Sequence, residues 1–506
     1  MTAQTPQPIE YRPAGALDVS TALLEYRGPW NARLAAHLLR RAGFGGSPQE
    51  IAATANSGMQ AAVAKLVHFG ADTLPPAPTG DISYDNGPAA DKMQRRNAIM
   101  VTELWWLNRC LLTPNPLQER MIYFWSNHFT SGIGQKGIMP ALMVNQLALF
   151  RRYALGNFAK LTHEISRDPA MLRYLDGIVN RAQHPNENYA RELMELFTMG
   201  VGNYSEEDVR QSARAFTGNT IDRATGTAMF NPRWHDDGIK TFLGRTGNFD
   251  GDNIVDIIME QPVTARYMAR KFLRAFVYDD PEPELVDALA VKFRATGYDV
   301  ARLLGTILRS NVFYSARAYR ALVKSPLEVA IGALKTLGAN AVGARTLQAL
   351  AQMGQMPLQP PNVAGWPGGR LWLNTGTYNA RLNYLHQLVM FKPAANDSTV
   401  AMAMAGQGQA VPAGMDPHIF FSPAGHIAPP SAWVGGAAMN DPISVTERLL
   451  DTVVQGDATT EQSQDILHYM STDGVGNRVP LSGENFEEKV RGGVSLAMAL
   501  PTYQLA

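Results

Sequence analysis

The sequence contains almost no cysteine: Cys110 is the only one among 506 residues. A disulfide needs two cysteines, and cysteine-based zinc and iron–sulfur sites need several. A single chain can therefore form neither an internal disulfide nor a cysteine cage for a metal. The compartment is left open by this count.

Charged residues are also few, and the net charge of the chain is zero. Asp, Glu, Lys and Arg make up 18% of the residues, and 45 basic residues balance 45 acidic ones. Nucleic acids and anionic membranes attract basic surfaces, so this balance predicts no nucleic-acid partner. Hydrophobic residues make up 45%, which is typical of a globular chain rather than a disordered one.

Long apolar runs are missing as well. No stretch of about 18 apolar residues occurs, which predicts that the chain has no transmembrane segment. The first residues, MTAQTPQPIEYRPAGALDVSTALLEYRG, contain Pro, Gly and charges where a signal peptide needs a continuous apolar region. We therefore expect a soluble chain with no visible signal peptide, cytoplasmic by default.

Helical patterns dominate the rest of the sequence. The S-x-x-E pairs Ser47/Glu50 and Ser325/Glu328 predict capping boxes at the start of two helices. Apolar spacing predicts further helices along most of the chain, and the repeated Val/Ile runs of a parallel sheet are missing. We predict a mainly α fold, a large multi-helical body with a small β and loop insertion near residues 219–250.

Composition divides the chain into four parts. We predict an N-terminal arm at 1–30, a helical core domain at 31–395, an irregular segment rich in Ala, Gly, Met and Pro at 396–443, and C-terminal helices at 444–506 that pack on the core. The oligomeric state is left open by the sequence.

The stretch HPNENYARELMELFTMGVGNYSEEDV, residues 184–209, concentrates polar side chains on one predicted helix face. That face carries Asn186, Glu187, Asn188, Arg191, Glu192 and Glu195. Two interpretations remain open. The i,i+4 pairs Glu187–Arg191 and Arg191–Glu195 suit a solvated face, whereas the two asparagines and the lack of lysine favour a buried cleft that binds a ligand.

Three other stretches combine polar residues with turns or aromatics. ERMIYFWSNHFT brings Asn127 and His128 to a helix end, and FNPRWHDDGIKTFLG places His235, Asp236 and Lys240 in one loop. GWPGGRLWLN carries Trp366 and Trp372, which suit either a packing corner or a platform for stacking a sugar.

Several stretches together resemble a large bacterial family catalogued as domain of unknown function eighteen hundred. They include LLRRAGFGGSPQEI, PNENYARELMELFTMGVGNYSEEDVRQSARAFTG, HDDGIKTFLG, QPVTARYMARKFLRAFV and GWPGGRLWLN. The resemblance implies that the polar positions of the 186–195 face, together with Asn127, His128, His235, Asp236 and Lys240, are retained in the family. It also implies export for many members, from which this N-terminus departs.

The first functional hypothesis is an enzyme with a polar cleft that works by general acid–base chemistry, as a hydrolase or a lyase, on a small-molecule or glycan ligand. Its predicted catalytic residues are His128, Asn188, Glu192, His235 and Asp236. Its predicted substrate-binding residues are Asn127, Arg191, Lys240, Trp366 and Trp372.

Two alternatives remain beside it. A divalent metal, Zn, Mn or Fe, would take its N and O ligands from His128, Glu187, Glu192, His235 and Asp236, although no pair has diagnostic spacing. A non-enzymatic binding or assembly protein would use the Trp366/Trp372 segment as a contact surface. Convergence of the polar groups on one pocket would favour chemistry, and their dispersion over a solvated surface would oppose it.

Overall fold

A computed structural model describes residues 18–78, 92–222, 224–392 and 417–506 of the chain. It is 58% helical, with two small two-stranded sheets in the described ranges, which confirms the predicted mainly α fold. None of the helices in these ranges combines the length and the apolar character needed to cross a membrane.

The helices of the first half follow in chain order. They are α1 (Val19–Ala22), α2 (Ala32–Ala42), α3 (Pro48–Ser57), α4 (Met59–Val67), α5 (Lys92–Leu112), α6 (Pro116–His128), α7 (Pro140–Arg152), α8 (Phe158–Ile165), α9 (Pro169–Tyr174), α10 (Asn188–Glu192) and α11 (Glu206–Ala215). A π-helix, Leu193–Thr198, continues α10 without a break.

The second half is also helical. Its helices are α12 (Gly251–Glu260), α13 (Pro262–Phe276), α14 (Pro283–Ala295), α15 (Val300–Arg309), α16 (Pro326–Thr336), α17 (Ala344–Gln352), α18 (Thr375–Met390), α19 (Pro417–Phe421), α20 (Pro430–Trp433), α21 (Pro442–Val454), α22 (Thr460–Ser471) and α23 (Gly483–Ala499). Short 3₁₀ turns cover Gly177–Val179, Pro232–Trp234, Gly369–Trp372 and Pro501–Gln504.

The helix starts follow the sequence closely. Both predicted capping boxes form, with Ser47 and Glu50 at α3 and Ser325 and Glu328 at α16. In each box the serine hydroxyl accepts the N–H of the glutamate, and the glutamate carboxylate accepts the N–H of the serine. These bonds satisfy N–H groups that the first helical turn leaves without a partner.

The β insertion lies where the sequence predicts it. β1 (Asn219–Ile221) pairs antiparallel with β2 (Ala228–Phe230), and β3 (Lys240–Phe242) pairs antiparallel with β4 (Arg245–Gly247). Leu243 and Gly244, both with positive φ, form the turn between β3 and β4. Two successive residues with positive φ match the right-handed twist of such a tight hairpin.

The C-terminal segment is fastened to the core by buried backbone contacts. Ala506 N–H donates to the Leu322 carbonyl at 2.8 Å, and Lys324 N–H donates to the Gln504 carbonyl at 2.9 Å. α23 packs against α18 and α21. Of the predicted irregular segment 396–443, residues up to 416 lie outside the described ranges, and from 417 onward it contains α19 and α20. Residues 1–17 of the predicted arm also lie outside those ranges.

Candidate functional site

The helix of the 184–209 stretch changes its winding in the middle. It begins at Asn188, whose N–H is accepted by the Asn186 side chain at 3.0 Å, and it turns from α to π at Leu193. At its end the N–H groups of Met199 and Gly200 both donate to the Met194 carbonyl at 2.9 Å. π-Helical turns are rare and frequently occur at functional sites, so this turn draws attention to its neighbours.

Arg191 forms an open ion-pair network on this helix. Its guanidinium donates to both carboxylate oxygens of Glu206 at 2.8 Å and to Glu187 at 3.1 Å. The side chain of Arg191 is 34% exposed and that of Glu206 is 66% exposed. The polar face is therefore half-exposed around Arg191 and resembles the solvated interpretation more than the buried one.

We expect Arg191→Gln to lower the free energy of unfolding by no more than about 1 kcal/mol, because ion pairs between exposed side chains contribute little to stability. Since salt screens such pairs, the loss should shrink at high ionic strength. Urea unfolding of both proteins at low and high salt measures this. A loss of about 3 kcal/mol or more that does not respond to salt would show that Arg191 is effectively buried.

The glutamates beyond Arg191 are arranged differently. Glu195 accepts the Tyr204 hydroxyl at 2.8 Å instead of pairing with Arg191. Glu192 is half-buried, and in the described part of the chain no donor is hydrogen-bonded to its carboxylate. Burial, and then the neighbouring charge of Glu195, raise the pKa of Glu192 despite the opposing charge of Arg191. Glu192 is thus more easily protonated than an ordinary glutamate.

Two residues of α13 bind the end of the π-helix. The Tyr267 hydroxyl donates to the Leu196 carbonyl at 2.6 Å, and the Lys271 amine donates to the same oxygen at 3.0 Å. Carbonyls in the last turn of a helix lack intrahelical partners, so these bonds cap it. Lys271 and Tyr267 were not predicted as site residues, and the only sequence signal is their i,i+4 spacing in RYMARKF.

The amine of Lys271 has an unusually low pKa. Burial, and then the nearby charge of Arg274, lower the pKa of Lys271 to about 7. Its amine also contacts Nδ1 of His128 at 3.0 Å. A lysine with this pKa is neutral in a large fraction of molecules at neutral pH, and perturbed groups of this kind are enriched at functional sites.

His128 ends α6 in an aromatic environment. Its ring is stacked on Phe124, with ring centres 6.0 Å apart, and meets Phe129 edge-on at 4.4 Å. Burial, and then the charge of Lys271, lower the pKa of His128 well below its usual range. The imidazole is therefore neutral, and Nδ1 must be the acceptor if Lys271 donates. A buried neutral ring suits holding Lys271 better than delivering a proton itself.

Asn127 and the two tryptophans form structural contacts. The Asn127 side chain accepts the Trp366 N–H at 2.8 Å and donates to the Trp366 carbonyl at 3.3 Å, which fixes the Trp366 loop against α6. Gly365 makes this approach possible, since a Cβ there would lie 2.3 Å from the Asn127 side-chain oxygen. Trp366 and Trp372 are buried, so neither indole presents an open face on which a sugar could stack.

The 235–240 loop is tied to α11 rather than to the π-helix. Asp236 accepts two hydrogen bonds from Arg214, at 2.7 and 3.0 Å, and these lower its pKa. The buried amine of Lys240 donates to the carbonyls of Asp236 and Gly238. His235 Nδ1 contacts the Thr217 carbonyl at 2.8 Å. Asp236 and Lys240 thus stabilise the loop itself.

The hydrogen bonds of the described residues join the predicted site residues only in pairs, Asn127 with Trp366 and Asp236 with Lys240. His128 lies with Lys271 beside the π-helix that Glu192 precedes, whereas exposed Asn188 donates to Asp176 at 3.1 Å on the surface. Four cavities found within the described ranges are lined by other residues. The predicted metal ligands stay apart too, because no three His, Cys, Asp or Glu side chains of the described residues are placed to share an ion.

Comparison with known proteins adds a family but no activity. A protein family described as "Protein of unknown function (DUF1800)" matches residues 37–505. No curated protein and no solved structure matches the chain.

Proposed function

Because the chain belongs to the DUF1800 family, whose description assigns no activity, we propose a function from the site chemistry. It is an enzyme that works by general acid–base catalysis, and Lys271 is the residue that transfers the proton. The observation that carries this proposal is the Lys271 amine, which combines a pKa of about 7 with fixed hydrogen bonds to His128 and the π-helix. A general base works best when its pKa lies near the working pH.

The hydrogen bonds of Lys271 suit a base. A neutral amine has two N–H groups and one lone pair. The bonds to His128 Nδ1 and to the Leu196 carbonyl, both 3.0 Å long, use the two N–H groups. The lone pair then remains to accept a proton from a substrate. His128 serves in this scheme as a positioning residue, because its neutral Nδ1 fixes the direction of the amine.

Acidic and cationic groups lie on the helix that Lys271 caps and on α13 itself. Glu192, whose pKa is raised, is suited to give a proton to a leaving group, and the charge of Glu195 reaches both Glu192 and Tyr267. Exposed Arg274 is close enough to affect Lys271 and is suited to hold a carboxylate on a substrate. This set favours a lyase that removes a proton next to a carboxylate, for example on a uronate glycan, over a hydrolase.

The test is a panel of uronate glycans and neutral glycosides, with unsaturated products and new reducing ends measured separately. We expect wild-type turnover that rises with pH through about 7, and a loss of about 10²-fold or more in Lys271→Met. Lys292→Met, which removes an exposed lysine of α14, is the matched control and should keep full activity.

If Lys271 only caps the π-helix, a different result is expected. Lys271→Met would then change stability but leave the rate on every accepted substrate as in wild type. Amine labelling of the native protein separates the two roles even before a substrate is found. A labelling rate at Lys271 that titrates near pH 10, like an exposed lysine, would contradict the proposal.

A further inference from the structure

A cavity between the core and the C-terminal segment is lined by buried cations. Arg40 belongs to α2. Lys324 lies two residues before the start of α16, and Arg320 lies in the turns that precede Lys324. Arg40 and Lys324 are each 7% exposed and Arg320 is 9% exposed. The cavity is small, about 30 Å³ in volume. Three cations around one small space are costly unless negative charge compensates them.

The acceptors in this cavity are too few for the donors. The side-chain oxygen of Gln455 accepts from both Arg40, at 2.6 Å, and Arg320, at 3.0 Å. Nε and Nη2 of Arg40 and the hydroxyl of Tyr503 are buried and form no hydrogen bond of good geometry within the described residues, although the Arg40 guanidinium lies 5.5 Å from the centre of the Tyr319 ring. Buried donors of this kind are ordinarily satisfied, so their presence points to a missing acceptor.

The negative groups of the region are already engaged. Glu328 lines the cavity, but one carboxylate oxygen lies 2.6 Å from Arg120 and the other accepts the Ser325 N–H at 2.7 Å. Asp457, next to Arg320, is paired with Arg33 as well.

Positive charge remains in excess when the surroundings are counted. Arg41 and Arg381 are also fully buried and add two further cations. A carboxylate on Ala506, the last residue of the sequence, would add one negative charge and still leave the excess positive.

The side-chain amine of Lys324 makes no hydrogen bond to the described residues, and it lies 4.0 Å from the centre of the Tyr503 ring. Burial, and then the charges of Arg320 and Arg40, lower its pKa well below the usual range. An entering anion would raise the pKa of this amine, because the protonated amine binds an anion more tightly than the neutral amine does.

We propose that this cavity binds a small oxyanion, either inorganic phosphate or the carboxylate or phosphate group of a small molecule. Guanidinium groups hold such anions through paired N–H donors, and the free Nε and Nη2 of Arg40 form one such pair. Tyr503 and Lys324 complete the donor set. This site uses none of the residues of the proposed acid–base site, so each proposal stands without the other.

Two measurements on the whole chain test this proposal: the midpoint of thermal unfolding in phosphate, and the heat of phosphate binding. Potassium chloride of equal ionic strength is the reference for both. We expect phosphate to raise the midpoint of the wild type, because the anion binds only the folded chain. The Arg40→Met variant should need at least about tenfold more phosphate for the same rise in the thermal midpoint, because the substitution removes charged hydrogen bonds to the anion. Exposed Arg210→Met should respond like the wild type.

Two results would overturn the proposal, and a second variant is available if the first does not fold. Phosphate stabilises many proteins in a general way, so an equal response of wild type and Arg40→Met would overturn the proposal. A wild type that binds neither phosphate nor acetate would show a cavity filled by water and would overturn it too. If Arg40→Met does not fold, Lys324→Met replaces it. Preference for acetate or for phosphate identifies which oxyanion group the natural ligand carries.

Discussion

We expect Arg320→Met to lower the free energy of unfolding by about 3 to 5 kcal/mol, because the change breaks a buried ionic network. The guanidinium makes five hydrogen bonds, to the Asp457 carboxylate, the Gln455 side chain and the carbonyls of Val454, Thr502 and Leu505. Three of these acceptors are backbone carbonyls of the C-terminal segment, which methionine leaves without this donor. The loss therefore also weakens the attachment of that segment to the core.

The choice of methionine isolates the charge and its hydrogen bonds. Arg320 has a positive φ of 53°, which costs any residue other than glycine a similar strain, and methionine has a similar length. The matched control is Arg266→Met, which breaks the exposed pair with Asp287 and should cost less than about 1 kcal/mol. Denaturant unfolding measures both. Equal and small losses would contradict the view that Arg320 fastens the C-terminal segment.

Local sequence signals predict much of the fold, and they also explain where a long helical stretch breaks into shorter helices. Apolar residues recur along 141–182 with the spacing of one long helix, but the structure has the three helices α7, α8 and α9 there. Apolar spacing continues across the breaks because each short helix buries a face. The new starts are set by side chains, since Asn157 accepts the Lys160 N–H and Asp168 accepts the Met171 N–H. Caps therefore define helix boundaries more reliably than hydrophobic periodicity.

The candidate site was less predictable than the fold. Spacing of four residues places Arg191 beside both Glu187 and Glu195 only in a regular α-helix. Arg191 pairs with Glu187 as predicted. The π-helix changes the winding after Glu192, and the second partner of Arg191 is Glu206 from α11 instead of Glu195, a contact that no local pattern encodes. The depth of Lys271 is equally invisible in sequence, because it depends on α6 and the π-helix packing against α13.

Stability measured against pH tests the state of Lys271 without a substrate. Its pKa is about 7 in the folded chain and about 10.4 when unfolded, so between these values the unfolded chain binds one more proton. Stability therefore rises with pH in this window, by up to about 1.4 kcal/mol per pH unit, and below pH 7 the full cost of the buried amine is present. Lys271→Met lacks this gain.

We expect the free energy of unfolding of wild type, minus that of Lys271→Met, to increase by about 2 to 3 kcal/mol between pH 7.5 and 9.5. The difference cancels the titration of other groups, and exposed Lys292→Met should give a flat line as control. At pH 7 the variant should be as stable as wild type or more so, because methionine avoids burying an amine. A flat line for Lys271→Met would mean that its amine titrates as in water, and the acid–base proposal would lose the observation that carries it.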